Sequence, residues 1–316
     1  MKVLLTGAAG QLGHALRQQR PATVELIATS RSGDADLADR DADAGVEALL
    51  PLDLSDPEAC RAAVHRHQPD WVLNAGAYTA VDRAESEPEL AHVVNAAAPR
   101  AFAEALRYSG GRLLQVSTDF VFDGSQSYPY RPDQPRQPLG VYGASKAAGE
   151  EAVEQVLGFS GSGLILRTSW VIGPVGRNFA LTMLRLHAQR AAAGQPLAVV
   201  ADQVGGPTST HSLAAACWRA LELANVQHGQ LGPILHWSDA GAASWYDVAV
   251  AVGDLGLELG LLDQAAVVIP ITTADYPTAA QRPSYSLLEC SATRRQLDLT
   301  ATHWRHTLRQ LLIACR

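Results

Sequence analysis

The chain has 316 residues, 47% of them hydrophobic and 18% charged, which is ordinary for a globular protein with a substantial core. Its formal net charge of −7 argues against nucleic-acid and acidic-membrane partners, because both require a basic surface. No stretch approaches the roughly 18 consecutive apolar residues of a membrane-spanning helix, and the apolar run at residues 3–5 is too short for a secretion signal. The four cysteines are scattered and form no CxxC pair, which favours free thiols in a cytoplasmic protein and offers no zinc site.

The first half of the chain alternates short apolar runs with helical patterns. It predicts strands at 3–6, 24–29, 71–74, 112–117 and 163–168, and helices at 11–20, 56–67, 96–109 and 143–157. Strands that alternate with helices of this length indicate parallel βαβ units, so we expect an α/β fold with a doubly wound parallel sheet of the Rossmann type. The polar segment 31–51 is predicted to be an excursion after the second strand.

The pattern changes after about residue 170, where we predict a smaller α/β substrate-binding lobe. Its elements and those that return to the main sheet are helices at 178–193 and 212–223, strands at 196–200 and 234–237, and a glycine-rich loop at 202–210. The predicted dinucleotide-binding domain comprises residues 1–170 and about 208–240, and the second lobe comprises about 171–207 and 241–316.

The stretch TGAAGQLG follows the first predicted strand and opens the first predicted helix, a context typical of dinucleotide binding. In it, Gly7 permits a tight turn, Gly10 lets the backbone approach a pyrophosphate, and Gly13 lets the helix pack on the sheet. The first-turn N–H groups at Gln11 and Leu12 are expected to face the anion.

The end of the second strand bears on the choice of dinucleotide, because an acidic residue there favours NAD. This strand ends in Ser30 and Arg31, and a hydroxyl with a guanidinium suits a 2′-phosphate better. We therefore favour NADPH and leave NADH open, since Arg31 could equally be a solvated loop residue. Asp53 and Leu54 follow a further apolar run and either contact the adenine or lead into the next helix.

In VYGASKAAGE, Tyr142 and Lys146 are one helical turn apart and share a helix face. A nearby cation favours the tyrosine anion, so the pair can donate or accept a proton near neutral pH. Upstream, Ser117, Thr118 and Asp119 lie at the carboxyl end of a predicted strand, where parallel sheets bind ligands. A hydroxyl at this place is suited to hydrogen-bond a substrate carbonyl.

Together, the glycine turn, the strand-end hydroxyl and YxxxK resemble the extended branch of the short-chain dehydrogenase/reductase superfamily. Further motifs, spread over almost the whole chain, resemble the dTDP-4-dehydrorhamnose reductase family. They are, in chain order, TAVDRAESEPELAHVVN, STDFVFDG, VYGASKAAGE, RTSWVIG, NFALTMLRL, DQVGGPT and YPTAAQRPSYSLL.

The resemblance implies that a hydride passes from NAD(P)H to the C4 carbonyl of dTDP-4-dehydro-6-deoxy-L-mannose, the last step of dTDP-L-rhamnose synthesis. It implies that Tyr142 protonates the nascent alkoxide, that Lys146 lowers the tyrosine pKa and holds the nicotinamide ribose, and that Thr118 polarises the carbonyl. Asp119 and Trp170 would line the sugar site. The expected cofactor contacts are Gly7, Gly10, Gln11, Leu12, Gly13, Ser30, Arg31, Asp53, Leu54, Ala75, Ala77, Tyr78, Thr79, Val116, Tyr142 and Lys146.

The second lobe is expected to hold the thymidine diphosphate through Asn178, Gln203, Trp245 and Arg282. Arginine matches phosphate geometry, whereas Trp245 either stacks on thymine or packs in the core. Asp82 and Glu85 are expected to order their loop rather than to do chemistry, because a carboxylate that faces a diphosphate costs affinity.

Some members of the family form dimers bridged by a metal through glutamates, and Ala15 stands where one of these glutamates would be. We therefore expect no metal, and a monomer or a weak homodimer. Two alternatives remain open: an epimerase or dehydratase that retains NAD⁺, and a non-catalytic subunit like the regulatory β subunit of methionine adenosyltransferase. Turnover of NADPH would exclude the second, and tightly retained NAD⁺ would favour the first.

Overall fold

A computed structural model of the chain describes residues 1–33, 48–158, 162–226 and 231–315. Its strands are β1 (Lys2–Thr6), β2 (Glu25–Ser30), β3 (Leu50–Pro51), β4 (Trp71–Asn74), β5 (Arg112–Thr118), β6 (Gly163–Thr168), β7 (Val171–Ile172), β8 (Leu197–Val200), β9 (Val204–Gly205), β10 (Thr208–Ser209), β11 (Ile234–His236), β12 (Ala243–Ser244) and β13 (Val268–Ile271). Within the described ranges, one sheet has the strand order β11-β6-β5-β4-β1-β2-β3, and its neighbouring strands are parallel.

Each helix predicted above lies close to a helix of the described ranges. The helices of these ranges are α1 (Gln11–Gln18), α2 (Pro57–His67), α3 (Val81–Ala84), α4 (Pro88–His92), α5 (Ala98–Ser109), α6 (Val141–Leu157), α7 (Phe179–Ala192), α8 (Thr210–Val226), α9 (Trp245–Glu258), α10 (Ser291–Leu297) and α11 (Trp304–Ile313). Five of these helices, α3, α4, α9, α10 and α11, have no counterpart among the helices predicted above. A π-helical turn at Val93–Ala97 precedes α5, which therefore begins two residues later than predicted.

The main sheet is covered on both faces. In β1, Val3 and Leu5 belong to the core that contains α1 and α8, whereas Leu4 belongs to the core that contains α2, α5 and α6. All three side chains are fully buried, as expected for a parallel strand between two helical layers. The predicted doubly wound α/β fold is therefore confirmed, and it brings the carboxyl ends of the strands to one edge.

A further hydrophobic core lies among α7, α9 and α11 and includes Met183, Val252 and Leu308. Short ladders pair β7 with β10, β8 with β13 and β9 with β12. This core is separate from the two that cover the main sheet, and the division into two lobes stays a prediction. Leu297 of α10 packs in the core that contains α1 and α8 although it belongs to the predicted second lobe, because α10 returns to the main sheet beside α8.

Residues 34–47, the larger part of the predicted excursion, lie outside the described residues. The short strand β3 that follows pairs with Thr29–Ser30 at the edge of the sheet. Among the described residues, no helix is both long enough and apolar enough to cross a membrane.

Candidate active site

A chain of buried polar side chains joins the carboxyl ends of β1, β4 and β5. The Thr6 hydroxyl donates to the Asn74 side-chain oxygen, and the Asn74 amide donates to Gln115 Oε1 at 2.7 Å. The Gln115 amide donates to the Val116 carbonyl at 2.9 Å. Because each buried group has a partner, the network holds β1, β4 and β5 in a fixed position relative to one another.

The first βα turn has the shape that a pyrophosphate requires. Gly7 has φ +66°, and a Cβ on Gly13 would lie 2.1 Å from the Gly7 carbonyl oxygen, so only glycine fits at Gly13. Gly10 is the N-cap of α1 and offers no side chain to the first-turn N–H groups of Gln11 and Leu12. This uncapped helix N-terminus is suited to an anion, so the cradle fits a dinucleotide.

The end of β2 presents Arg31 to solvent, whereas Ser30 is buried. The Ser30 hydroxyl accepts the N–H of Gly33 at 3.1 Å and so orders the turn that carries Arg31. Asp53 Oδ1 accepts the N–H of Ser55 at 2.9 Å, which favours its role at the start of α2. Leu54 packs against Gly76, where it lies beside the glycine turn.

The turn after β4 contains Ala75, Gly76, Ala77, Tyr78 and Thr79. A Cβ on Gly7 would lie 2.7 Å from Gly76, so this turn and the first turn are in contact. The Tyr78 N–H donates to Asn95 Oδ1 at 2.9 Å, and the Tyr78 phenol donates to Glu87. Asn95 thus occupies both backbone polar groups of Tyr78, and Glu87 occupies its phenol.

The three predicted catalytic side chains converge between β5 and α6. The Lys146 ammonium donates to the Val116 carbonyl at 2.7 Å, and the Thr118 hydroxyl hydrogen-bonds the Tyr142 phenol. Thr118 also donates to Asp119 Oδ1 at 3.0 Å. Val116 and Thr118 project from one strand, and Tyr142 and Lys146 project from one face of a helix, so two regular elements build the site.

The electrostatics of this cluster favour a proton donor. Burial raises the pKa of Tyr142 to about 12, the Asp119 carboxylate adds to the rise, and the hydrogen bond with Thr118 opposes it. Burial lowers the pKa of Lys146 to about 8, against the opposing effect of the Glu150 carboxylate. Burial also raises the pKa of Asp119 to about 6, and the hydrogen bond from Thr118 opposes this rise. At neutral pH the phenol therefore carries its proton.

Lys146 is not among the groups that shift the pKa of Tyr142, so its expected lowering effect stays a prediction. The tyrosine pKa is raised rather than lowered, because burial dominates and the Lys146 ammonium is directed to the Val116 carbonyl. A proton donor needs no depressed pKa, so the arrangement still suits reduction of a carbonyl.

Two predicted residues of the second lobe, Gln203 and Trp245, contact each other, and Trp245 also contacts Trp170 at the end of the first predicted domain. Trp170 stacks on Trp245 with ring centroids 3.6 Å apart and an interplanar angle of 5°. The Trp245 indole N–H donates to Gln203 Oε1 at 3.2 Å. One face of each indole is thus occupied by the other ring, so thymine cannot occupy the Trp245 face that Trp170 covers. Trp170 also has φ +45°, a backbone strain that is frequent at functional sites.

Asn178 is the N-cap of α7 and accepts the N–H of Leu181 at 3.0 Å. Its amide donates to Gln11 Oε1 at 2.8 Å and to the Gly173 carbonyl at 2.7 Å. The side chains of Gln11 and Asn178 therefore hydrogen-bond each other. The group of Gln11 that is available to contact the cofactor is its backbone N–H.

Arg282 forms a bidentate ion pair with Asp82, at 3.0 Å to Oδ1 and 2.7 Å to Oδ2. This pair holds the pKa of Asp82 below its usual range. Arg282 also lines a cavity of about 450 Å³ together with Asp202, Thr273 and Ser284. The guanidinium thus lies where a diphosphate could reach it, but it already has an anionic partner.

Two residues of the site, Asn95 and Glu150, were not among the residues predicted from the sequence. Asn95 lies in the π-helical turn and donates to both the Tyr78 carbonyl and the Ser145 hydroxyl at 3.0 Å, which ties the β4 turn to α6. Glu150, one turn beyond Lys146, is fully buried and paired with Arg167 at 2.7 Å. An asparagine within an alanine-rich helical run was the available signal for Asn95, because asparagine is unfavourable in a helix interior.

The comparisons with known proteins agree with this geometry. The family model described as RmlD substrate binding domain matches residues 1–316. A dTDP-4-dehydrorhamnose reductase of Streptomyces griseus is 40% identical over 308 residues, which cover 96% of this chain and 91% of that protein. A probable dTDP-4,6-dihydroxy-2-methyloxan-3-one 4-ketoreductase of Streptomyces antibioticus is 38% identical over 312 residues, covering 98% of this chain and 94% of that protein.

Among solved structures, the dTDP-4-dehydrorhamnose reductase of Bacillus anthracis in complex with NADP has a TM-score of 0.79 and 30% identity, and the match covers 99% of this chain and 98% of that one. A parallel sheet with a glycine turn and a Tyr–Lys helix is the arrangement expected of an extended short-chain dehydrogenase/reductase. The chain belongs to the RmlD substrate binding domain family, and its predicted resemblance to the dTDP-4-dehydrorhamnose reductases is confirmed.

Proposed function

We propose that this chain reduces the C4 keto group of dTDP-4-dehydro-6-deoxy-L-mannose to give dTDP-L-rhamnose, with NADPH as the hydride donor. The observation that carries the proposal is the convergence of Thr118, Tyr142 and Lys146 beside the glycine turn. Relatives that match almost the whole chain are named for this reaction, and one was solved with NADP. The reaction ends dTDP-rhamnose synthesis and so serves polysaccharide formation.

The residues of the cluster have distinct tasks. When bound, NADPH supplies the hydride that adds to the C4 carbonyl carbon. The Thr118 hydroxyl donates a hydrogen bond to the carbonyl oxygen, and the Tyr142 phenol gives its proton to that oxygen as negative charge develops there. The Lys146 ammonium, held at Val116, stabilises the phenolate that remains and binds the ribose hydroxyls.

The cofactor and the sugar nucleotide bind on either side of these residues. The first-turn N–H groups of α1, which no side chain caps, would hold the pyrophosphate, and Ser30 with Arg31 would receive the 2′-phosphate. On the other side, Trp170 packs along the sugar and Arg282 faces the substrate diphosphate from the wall of the 450 Å³ cavity. Asp119, buried beside Thr118, lies at the end of the sugar site.

The chain works in the cytoplasm as a monomer or a weak homodimer in this proposal. Cys60, Cys217 and Cys290 are buried free thiols, which suits a reducing compartment. Ala15 of α1 is buried in the core and, as an alanine, has no atom that ligates a metal.

The direct test is turnover of dTDP-4-dehydro-6-deoxy-L-mannose, generated in place, with NADPH and with NADH. We expect loss of reduced cofactor absorbance and a product whose proton spectrum is that of dTDP-L-rhamnose, with NADPH used faster. The substrate of the Streptomyces antibioticus ketoreductase serves as the competing 4-keto sugar. Faster turnover of that sugar would reassign the substrate, tightly retained NAD⁺ would indicate an epimerase or dehydratase, and no turnover by folded protein that binds NADPH would contradict the proposal.

A further inference from the structure

Residues 82–87, which comprise most of α3 and the turn after it, connect three parts of the candidate site. We refer to this segment as the bracket. Asp82 pairs with Arg282 at 2.7 Å and accepts the Ala280 N–H at 3.2 Å. Glu87 accepts the phenol of Tyr78 in the turn after β4. The remaining carboxylate of the bracket, Glu85, contacts the helix that carries Tyr142.

Glu85 Oε1 accepts the N–H of Val141 at 2.9 Å. Val141 is the first residue of α6, and Tyr142 is the second. The N-cap of this helix is Gly140, which has no side chain to satisfy first-turn N–H groups. Glu85, which is distant in sequence, therefore performs the capping that a serine or aspartate N-cap would perform elsewhere.

The space for this carboxylate exists because residue 140 is glycine. A Cβ on Gly140 would lie 2.7 Å from Glu85 Oε1. The φ of Gly140 is −135°, which any residue can adopt, so the backbone conformation does not require glycine here. Glycine is instead favoured at residue 140 because the Glu85 carboxylate approaches so closely.

We propose that Glu85 is a positioning residue that holds the first turn of α6, and with it the Tyr142 phenol, at the height needed for proton transfer. The inference rests on the proposed function, since it assigns Glu85 a part in the same reaction. Ala84, fully buried beside Glu85, anchors the bracket against the fold, so the carboxylate is held on a fixed support. A misplacement near 1 Å at a reacting group can cost up to about a hundredfold in rate.

The role of Glu85 is geometric rather than electrostatic. The groups that set the pKa of the Tyr142 phenol are Thr118 and Asp119 together with burial, and Glu85 is not among them. A neutral acceptor of the same length should therefore serve nearly as well as the carboxylate. Retained activity in Glu85→Gln would therefore distinguish positioning by Glu85 from an effect of its charge.

The test compares Glu85→Ala and Glu85→Gln in the full chain, with Glu89→Gln as the matched control. Glu89 is exposed on α4 and lies outside the bracket. We expect Glu85→Ala to lower kcat about tenfold with unchanged NADPH affinity, and Glu85→Gln to restore most of it because the amide oxygen still accepts from Val141. Wild-type kcat in Glu85→Ala, or equal losses in both variants, would overturn the proposal.

Gly140→Ala gives a second, independent perturbation, because its methyl group displaces the Glu85 carboxylate without straining the backbone. We expect it to reproduce the loss in Glu85→Ala, and we expect the double variant to be no worse than either single variant. Fully additive losses would contradict the proposal, because they would mean that the two residues act separately.

Amide exchange at Val141 separates this proposal from the reductase assignment. Exchange should be faster in Glu85→Ala than in the wild type and in Glu85→Gln, whatever the substrate is. If the wild type reduces no dTDP-4-keto sugar but this exchange pattern holds, the reductase assignment fails and the positioning of α6 stands. If turnover is normal and exchange at Val141 is unchanged by Glu85→Ala, only the positioning proposal fails.

Discussion

The predicted cofactor site, at the carboxyl edge of the main sheet, and the predicted second lobe differ in the kind of group that would bind a ligand. At the predicted cofactor site, the binding groups are backbone N–H groups and small residues such as Gly7 and Gly13, whose positions follow from one turn between a strand and a helix. In the second lobe the predicted groups are long side chains, and residues of the first predicted domain already contact them: Trp170 stacks on Trp245, and Asp82 pairs with Arg282. Local spacing determines the first region, and tertiary partners determine the second.

This difference has an energetic consequence for substrate binding. A backbone cradle needs little rearrangement to accept an anion, because its N–H groups already point outward. Arg282 must share or exchange its bidentate contact with Asp82 before it can bind a phosphate, so part of the new interaction replaces an existing one. We therefore expect substitutions in the backbone cradle of the glycine turn to have larger effects than substitutions in the second lobe.

The largest effect is expected for Gly13→Ala. Its Cβ would lie 2.1 Å from the Gly7 carbonyl oxygen and 2.5 Å from Ala8 Cα, and these backbone atoms cannot move without opening the turn. We expect a loss of about 3 kcal/mol or more in the free energy of unfolding, together with loss of NADPH binding. Denaturant unfolding and fluorescence titration measure these quantities. Gly232→Ala, whose Cβ would approach no atom closer than 3.8 Å, is the control.

Asp119→Asn should stabilise the fold at neutral pH while lowering activity. The pKa of Asp119 is raised to about 6, so the folded state holds this proton more tightly than the unfolded state. Stability is therefore undiminished below the unfolded pKa of about 4 and falls as pH rises to about 6. We expect Asp119→Asn to gain about 3 kcal/mol at pH 7 and nothing at pH 4, measured by urea unfolding. An equal change at both pH values would exclude the buried charge as the cause.

Much of the fold and of the catalytic cluster could be predicted from sequence. Val3, Leu4 and Leu5 mark β1 as a two-sided buried strand, and the spacing of Tyr142 and Lys146 places them on one helix face wherever the helix lies. Asn178 and Trp245 show the limit, because residue type alone does not reveal that Gln11 and Trp170 occupy their contacts. The sign of the Tyr142 pKa shift also depended on burial, which spacing does not report.

Arg282→Lys tests whether the second lobe binds the diphosphate through this guanidinium. A lysine cannot make the bidentate contact, so we expect the KM for the sugar nucleotide to rise about tenfold while kcat stays within about twofold. Asp82→Asn should raise KM less, because it leaves the guanidinium in place. A loss of thermal stability without a change in KM would show that the pair with Asp82 is purely structural.

Arg31→Ala should have the smallest effect. Arg31 is exposed at the end of β2, so its contact with a 2′-phosphate is made in solvent and contributes on the order of 1 kcal/mol. We expect NADPH to bind about fivefold more weakly and NADH to bind equally well. Isothermal titration with both cofactors measures the two affinities. Equal losses of affinity for NADPH and NADH would mean that Arg31 does not bind the 2′-phosphate.

The central claim is that Tyr142 gives the proton to the sugar oxygen in a site that Thr118 and Lys146 complete. Single-turnover oxidation of NADPH by the wild type and by Tyr142→Phe, with dTDP-4-dehydro-6-deoxy-L-mannose as substrate, tests it most directly. We expect the variant to bind NADPH normally and to lose at least about a hundredfold in rate, because only the phenolic hydroxyl has been removed. A variant that turns over within a few-fold of the wild type would contradict the account.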